Sequence, residues 1–241
     1  MAQQWGPDEV HALIERVEVV RDNASKAKQK ILDLYENLDP EHDARVTSLS
    51  KLINVLNSLQ LGLTFTAKHL LHHNWWELIA KSPISVDDKR IYANEFGNFL
   101  KVAFVQALQS SVESAMRIVL RALDADACNR GTAEFKSIYD CLFSSKLAED
   151  LRDEIPTLDL LRHVRNTVHN NGVYFHKKEQ DQTVVWREAE YAFRHGVAVD
   201  FVTWDLLLDL TDSLREVLVR VLSDKHLRNI EEEIRDPFSD R

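Results

Sequence analysis

Apolar residues recur at steps of three and four over most of this chain, a period that predicts amphipathic helices. From residue 8 to 38, Val10, Leu13, Ile14, Val17, Val20, Ala24, Ala27, Ile31, Leu34 and Leu38 trace one long helix, opened by Pro7 and Asp8 and closed before Pro40. A second helix is expected over residues 42 to 60, with Leu49, Leu52, Ile53, Leu56 and Leu59 inward. A third is expected over 65 to 80, broken by Ser82-Pro83. From Asp87 to about Asp124 the pattern describes a very long helix through Phe96, Leu100, Phe104, Leu108, Val112 and Met116. Gly97 interrupts it and marks a bend or a close helix crossing. Another helix is expected from about Thr132 to Leu147.

The next helix begins at Pro156-Thr157 and stops at Asn170-Asn171-Gly172, where the period changes. Val173 to His176, Thr183 to Trp186 and Tyr191 to Phe193 have the β-branched and aromatic character of strands and predict a hairpin or three-stranded meander. Thr203 then caps a final helix running to about Ser223. The charged tail from Glu231, which contains Pro237, is expected to fray. There is no internal repeat. The break from Lys81 to Asp87 is the best boundary. It divides an N-terminal helical region, residues 1 to 82, which can pack into the same domain, from a helical domain over 87 to 225 with a β insertion at about 173 to 201, followed by a charged tail over 226 to 241. The class is mainly α.

Composition sharpens this. The chain of 241 residues has only 6 glycines, where ordinary usage would supply roughly 17, so long helices and few tight turns are expected. Its net charge of −9 opposes general binding to nucleic acid, so any RNA contact has to be local. Cys128 and Cys141 lack a metal or redox spacing and read as free thiols. Neither a signal peptide pattern near Met1 to Asp8 nor an apolar run of membrane-spanning length is visible, so a cytoplasmic protein without membrane contact is expected.

The candidate chemistry lies in Leu161-Arg162-His163-Val164-Arg165-Asn166-Thr167-Val168-His169. Arg165 and His169 are four apart and Arg162 and His169 seven apart, so a helix returns all three to one face. Leu158, Leu161, Val164 and Val168 form the opposite, buried stripe, and no acid occurs from Arg162 through Lys178. Arginines suit the nonbridging oxygens of a phosphate. An imidazole with its ordinary pKa of about 6.5 exchanges protons at neutral pH. Asn166 is placed to orient either. The bland reading is a solvated cationic face that complements the helix macrodipole, with Asn166, Asn170 and Asn171 acting as caps. His69, His72 and His73 beside Trp75-Trp76 have two-ligand helical spacing but no clear third ligand, so no metal site is assigned. Lys177 and Lys178 sit at a hairpin edge, as blockers of edge pairing or as RNA contacts.

Residues 90 to 225 resemble HEPN domains, helical bundles of RNase toxins and phage-defence proteins. Three features carry the likeness. Ser111 to Arg117 is similar to an early helix with an inward glutamate, Glu113, and a nearby arginine, Arg117. Arg162 through His169 resembles the family's arginine, polar residue, four-to-six spacing, histidine motif. The Asn170-Asn171-Gly172-Val173-Tyr174 exit into a hairpin resembles a subset of the family. Only three residues separate Arg165 from His169, one short of the usual spacing, whereas Arg162-His163 satisfies it, so either Arg162 is the functional arginine with Arg165 assisting or the site is altered and inactive.

The resemblance implies a HEPN-like bundle whose two-fold homodimer joins two motifs into one metal-independent endoribonuclease site that leaves 2′,3′-cyclic phosphates. It implies catalytic roles for Arg162, Arg165, Asn166 and His169. RNA-binding or supporting roles fall to His163, Asn170, Glu113, Arg117, Lys177 and Lys178. No cofactor is called for, and the expected partners are RNA, a second copy and an antitoxin or regulatory protein. Phage defence or a toxin–antitoxin system is the implied setting. A helical interaction module that keeps the bundle without the chemistry is the competing expectation, favoured by the acidic charge and the irregular spacing. A third is a regulatory protein whose residues 8 to 80 bind a partner and silence the site.

Overall fold

The computed structural model describes residues 5–35, 38–80, 83–127 and 134–236. It is mainly helical with one small antiparallel sheet. In chain order the helices are α1 (Pro7–Leu34), α2 (Ala44–Phe65), α3 (His73–Ile79), α4 (Val86–Leu123), α5 (Phe135–Ser145) and α6 (Ile155–His169). The hairpin strands β1 (Gln182–Trp186) and β2 (Ala189–Phe193) follow, then α7 (Trp204–Leu222) and the single turn α8 (Lys225–Arg228).

One continuous core links both sides of the expected boundary. Val17, Ala24 and Ile31 of α1 and Leu49, Leu52 and Leu56 of α2 belong to the same buried cluster as Leu108 and Val112 of α4, Leu161 of α6 and Leu214 of α7. α1 packs on α2 and α7, and α2 packs on α4. Glycine permits two close approaches. A Cβ on Gly62 would lie 2.5 Å from Leu100 Cδ2, and one on Gly97 would lie 2.5 Å from the Trp5 indole. Gly97 therefore marks a close crossing of chain segments.

Several boundaries move from their expected places, each for a tertiary reason. α1 ends at Leu34, not near residue 38, because Tyr35 turns extended, hydrogen-bonds the Leu222 carbonyl at the end of α7 and stacks under the Arg45 guanidinium. α2 runs past residue 60 into a π-helical turn, Thr66–Leu70, so the expected third helix shrinks to α3. The expected start near Thr132, the thiol of Cys128, the break at Lys81-Ser82 and Pro237 lie outside the described residues. Cys141 is a free, half-buried thiol.

The tail does not fray as far as residue 236. Arg45, 2% exposed, bonds Asp43 through Nε and Nη2 at 2.9 and 2.6 Å and donates to the carbonyls of Ile230 and Glu232. Asp43 pairs across an isolated bridge with Arg235, and the buried Asp236 carboxylate accepts from Thr47 and Lys51 at the start of α2. A buried ion pair with spare donors and acceptors thus holds charged chain in place.

The sheet has two strands, not three, with Gln182 opposite Phe193 and Trp186 opposite Ala189. Val173 makes only an isolated bridge with Ala198, flanked by bonds from Tyr174 N to the Val197 carbonyl and from Val199 N to the Gly172 carbonyl. That neck ties the C-terminal end of α6 to the segment leading into α7. Among the described residues no helix is long and apolar enough to cross a membrane.

Candidate functional site

α6 forms because Pro156 opens it and its apolar residues fall on one side. Leu158, Leu160, Leu161, Val164 and Thr167 are buried, and Val168 is half-buried. The helix ends in a Schellman arrangement: Gly172 N donates to the Thr167 carbonyl at 2.9 Å while Asn171 takes the left-handed conformation at φ 54°. Asn170 Nδ2 donates to the Asn166 carbonyl at 2.7 Å, a capping contact that absorbs the side chain expected at RNA.

The expected cationic face is real as a helical face, but its members have different fates. Arg162 is not free. Its Nε and Nη2 donate to Asp159 Oδ1 at 3.3 and 2.9 Å, and the same oxygen accepts from Tyr139 Oη of α5 at 2.6 Å, with Lys136 at 3.8 Å. Burial alone would raise the Asp159 carboxyl, yet the bonds from Tyr139 and Arg162 and the charge of Lys136 hold it below its usual range. The acid-free stretch begins three residues too late to keep this carboxylate away.

His163, expected beside RNA as a supporting residue, is instead 2% exposed. Its Nε2 faces Arg162 Nη2 at 2.8 Å and its Nδ1 faces Tyr174 Oη at 2.8 Å. The Tyr174 and Phe193 rings close around it, with centroids 5.4 and 5.1 Å from the imidazole and 5.2 Å from one another. Burial, and then the charge of Arg162, push its pKa from 6.5 down to about 3. Burial also pushes the Tyr174 phenol up to about 12. Tyr139, Asp159, Arg162, His163 and Tyr174 thus form a polar chain from α5 through α6 to the hairpin neck.

Arg165 differs. Its Nε donates to Gln106 Oε1 of α4 at 3.2 Å and its Nη1 to Asn166 Oδ1 at 3.4 Å. Both partners are neutral amides, and among the described residues no carboxylate pairs with it. One turn further along, His169 is exposed and its side chain has no hydrogen-bond partner among the described residues. Arg165, Asn166 and His169 are therefore brought together on the open side of α6.

The remaining residues lie elsewhere. Glu113 and Arg117 make an ion pair of 2.7 Å along α4. Lys177 is 89% exposed and 3.8 Å from Glu134, and Lys178 is exposed with its backbone N–H on His176 Nδ1. Of the three N-terminal histidines, His69 packs on the Phe65 and Trp75 rings, His72 caps α3, and His73 bonds Glu77 at 3.1 Å and Lys89. Among the described residues no group of three or more histidine, cysteine or acidic side chains is arranged to hold a metal ion.

Sequence reasoning missed Asp159, Tyr139, Tyr174 and Gln106. The Asp159–Arg162 pair has a readable signal, since three residues is the spacing of a helical ion pair. The other three reach α6 from α5, the hairpin neck and α4, and no local spacing announces them. The chain matches no family model, no curated protein and no solved structure.

Proposed function

We propose that the open side of α6 cleaves RNA in the manner of a HEPN endoribonuclease, with Arg165 holding the scissile phosphate, His169 transferring the proton and Asn166 orienting the phosphate. The reading rests on one observation above all: Arg165 carries a charge that neutral amides position without cancelling, one turn from the exposed His169. That separation is about 6 Å along the helix axis, within reach of one phosphodiester for two flexible side chains. In the reaction the ribose 2′-oxygen forms a bond to phosphorus and the bond from phosphorus to the 5′-oxygen breaks. One imidazole takes the 2′-hydroxyl proton and another protonates the leaving oxygen, which a two-fold pair of chains provides. Arg165 offsets the charge gathering on the nonbridging oxygens. The products are a 2′,3′-cyclic phosphate and a 5′-hydroxyl, and DNA is spared for want of the attacking group.

The test is incubation of the full chain with total RNA in excess EDTA, alongside His169→Ala and Arg165→Ala, with mapping of the fragment ends. Cyclic-phosphate ends from the parent chain alone support the reading. Absence of cleavage by the folded parent dimer rejects it. A non-catalytic interaction module is the second reading, favoured by the Asp159 carboxylate that neutralises Arg162 and leaves a single uncompensated arginine on this face. Its setting would be the regulatory or antitoxin-type partner that the resemblance implies.

A further inference from the structure

Beside the C-terminal end of α6 lies a cavity of about 400 Å³, walled by α4, by the α6 exit and by the segment before α7. That volume is at the lower end of the range for small-molecule sites. Its character is mixed in a specific way. Val102 and Val168 supply apolar walls, while Glu95, Asn98 and Asn171 bring side chains that have no hydrogen-bond partner among the described residues. Lys101 also lines it, but its ammonium already donates to the Val202 carbonyl at 3.1 Å and stands 5.7 Å from the Trp204 ring. The open polar chemistry is therefore a carboxylate and two amides around an apolar slot. The slot sits at the same end of α6 as His169, round the helix from it, since Thr167, Val168, Asn171 and Gly172 line it.

We infer that this cavity binds a guanine base, received from the nucleotide next to the phosphate cut at His169. A carboxylate offers only acceptors, so it selects an edge that presents two neighbouring donors. Guanine has that edge in its N1–H and N2–H₂ groups. Adenine places an acceptor at N1, cytosine places one at N3 beside its amine, and uracil flanks its single N–H with two carbonyls. The Asn98 amide can donate to the guanine O6 acceptor, which the other purine replaces with a donor. A site built to hydrogen-bond a group rejects analogues lacking it, because its own polar atoms are then left unpaired. The substrate assignment rests on the RNA-cleavage reading, whereas the base-binding site itself stands on the cavity alone.

The experiment titrates guanosine, adenosine, cytidine and uridine separately into the full chain by calorimetry, and repeats the guanosine titration with Glu95→Gln and Asn98→Ala. Both residues are exposed on α4, and circular dichroism melts of the variants establish that they fold. Guanosine is expected to bind saturably and at least about tenfold more tightly than the other three, with Glu95→Gln weakening it at least about tenfold. Four equal affinities, no saturable guanosine binding, or an unchanged affinity in Glu95→Gln would overturn the proposal. Guanosine binding by a chain that leaves RNA intact upholds the site and rejects the ribonuclease reading. RNA cleavage without guanine preference and without guanosine binding does the reverse.

Discussion

Arg162 Nη2 lies 2.8 Å from Nε2 of His163, its immediate neighbour in the chain. A guanidinium has only donors, so Nε2 must be the accepting nitrogen and the proton sits on Nδ1, which donates to Tyr174 Oη. The contact makes His163 a neutral spacer between a cation and a phenol, and removes both residues from the open face of α6.

A pH dependence follows from that arrangement. The folded pKa of His163, about 3, lies below the ordinary 6.5, with Arg162, His176 and Lys136 adding to burial and Asp159 opposing them. Between those values the unfolded chain binds more protons. Its contribution to stability is therefore complete above about pH 6.5 and is lost as the pH falls toward 3. The stake is on the order of a few kcal/mol. Urea unfolding at about pH 7 and about pH 4.5 should show a smaller loss for His163→Gln than for the parent chain. Parallel pH profiles would reject a neutral buried role for this ring.

The two arginines should separate by stability. Arg162→Ala leaves the Asp159 carboxylate, 21% exposed, with its nearest cationic partner gone, and should destabilise by about 1–3 kcal/mol. Arg165→Ala breaks only amide contacts and should change stability by less than about 1 kcal/mol. Denaturant midpoints decide this, and equal losses would contradict the assignment of Arg162 as the structural member.

Arg45 should prove one of the costliest polar positions. Arg45→Ala strands the Asp43 carboxylate, fully buried, and releases the carbonyls of Ile230 and Glu232, for an expected loss of about 3–5 kcal/mol. A double variant, Asp43→Asn with Arg45→Met, should lose less than Arg45→Ala alone, because it leaves no buried charge behind. Hydrogen exchange over residues 230 to 236 should accelerate in Arg45→Ala, and protection equal to the parent would sink the idea that this pair anchors the tail.

The hairpin turn offers a gain. Arg187 and Glu188 occupy the two central positions with φ of 48° and 65°, where side chains are strained and glycine is not. Glu188→Gly should stabilise by about 0.5–1 kcal/mol, the relief of left-handed strain less glycine's added chain entropy. A lowered thermal midpoint would show that the Glu188 side chain earns its place by some other contact.

The helices were readable because an amphipathic helix writes its core side into the chain at a spacing of three to four. α4 and α7 match their expected spans to within a residue at each end, and the Asn-Asn-Gly stop of α6 is a local device with a local signature. The shared face of Arg162, Arg165, Asn166 and His169 was readable for the same reason. What helical spacing alone leaves open is which of those side chains is available. Asp159 acts within α6, but the grip on the Arg162–His163 pair is completed by Tyr139 from α5 and Tyr174 from the hairpin neck, and Arg165 is steered by Gln106 from α4. The anchored tail has the same character, since its backbone reads as solvated until Asp43 and Arg45, some 190 residues earlier, hydrogen-bond it. Periodicity reports which way a residue points from its own helix axis. Charge compensation and burial depend on what the remaining chain brings to meet it, and that is decided only when the helices pack.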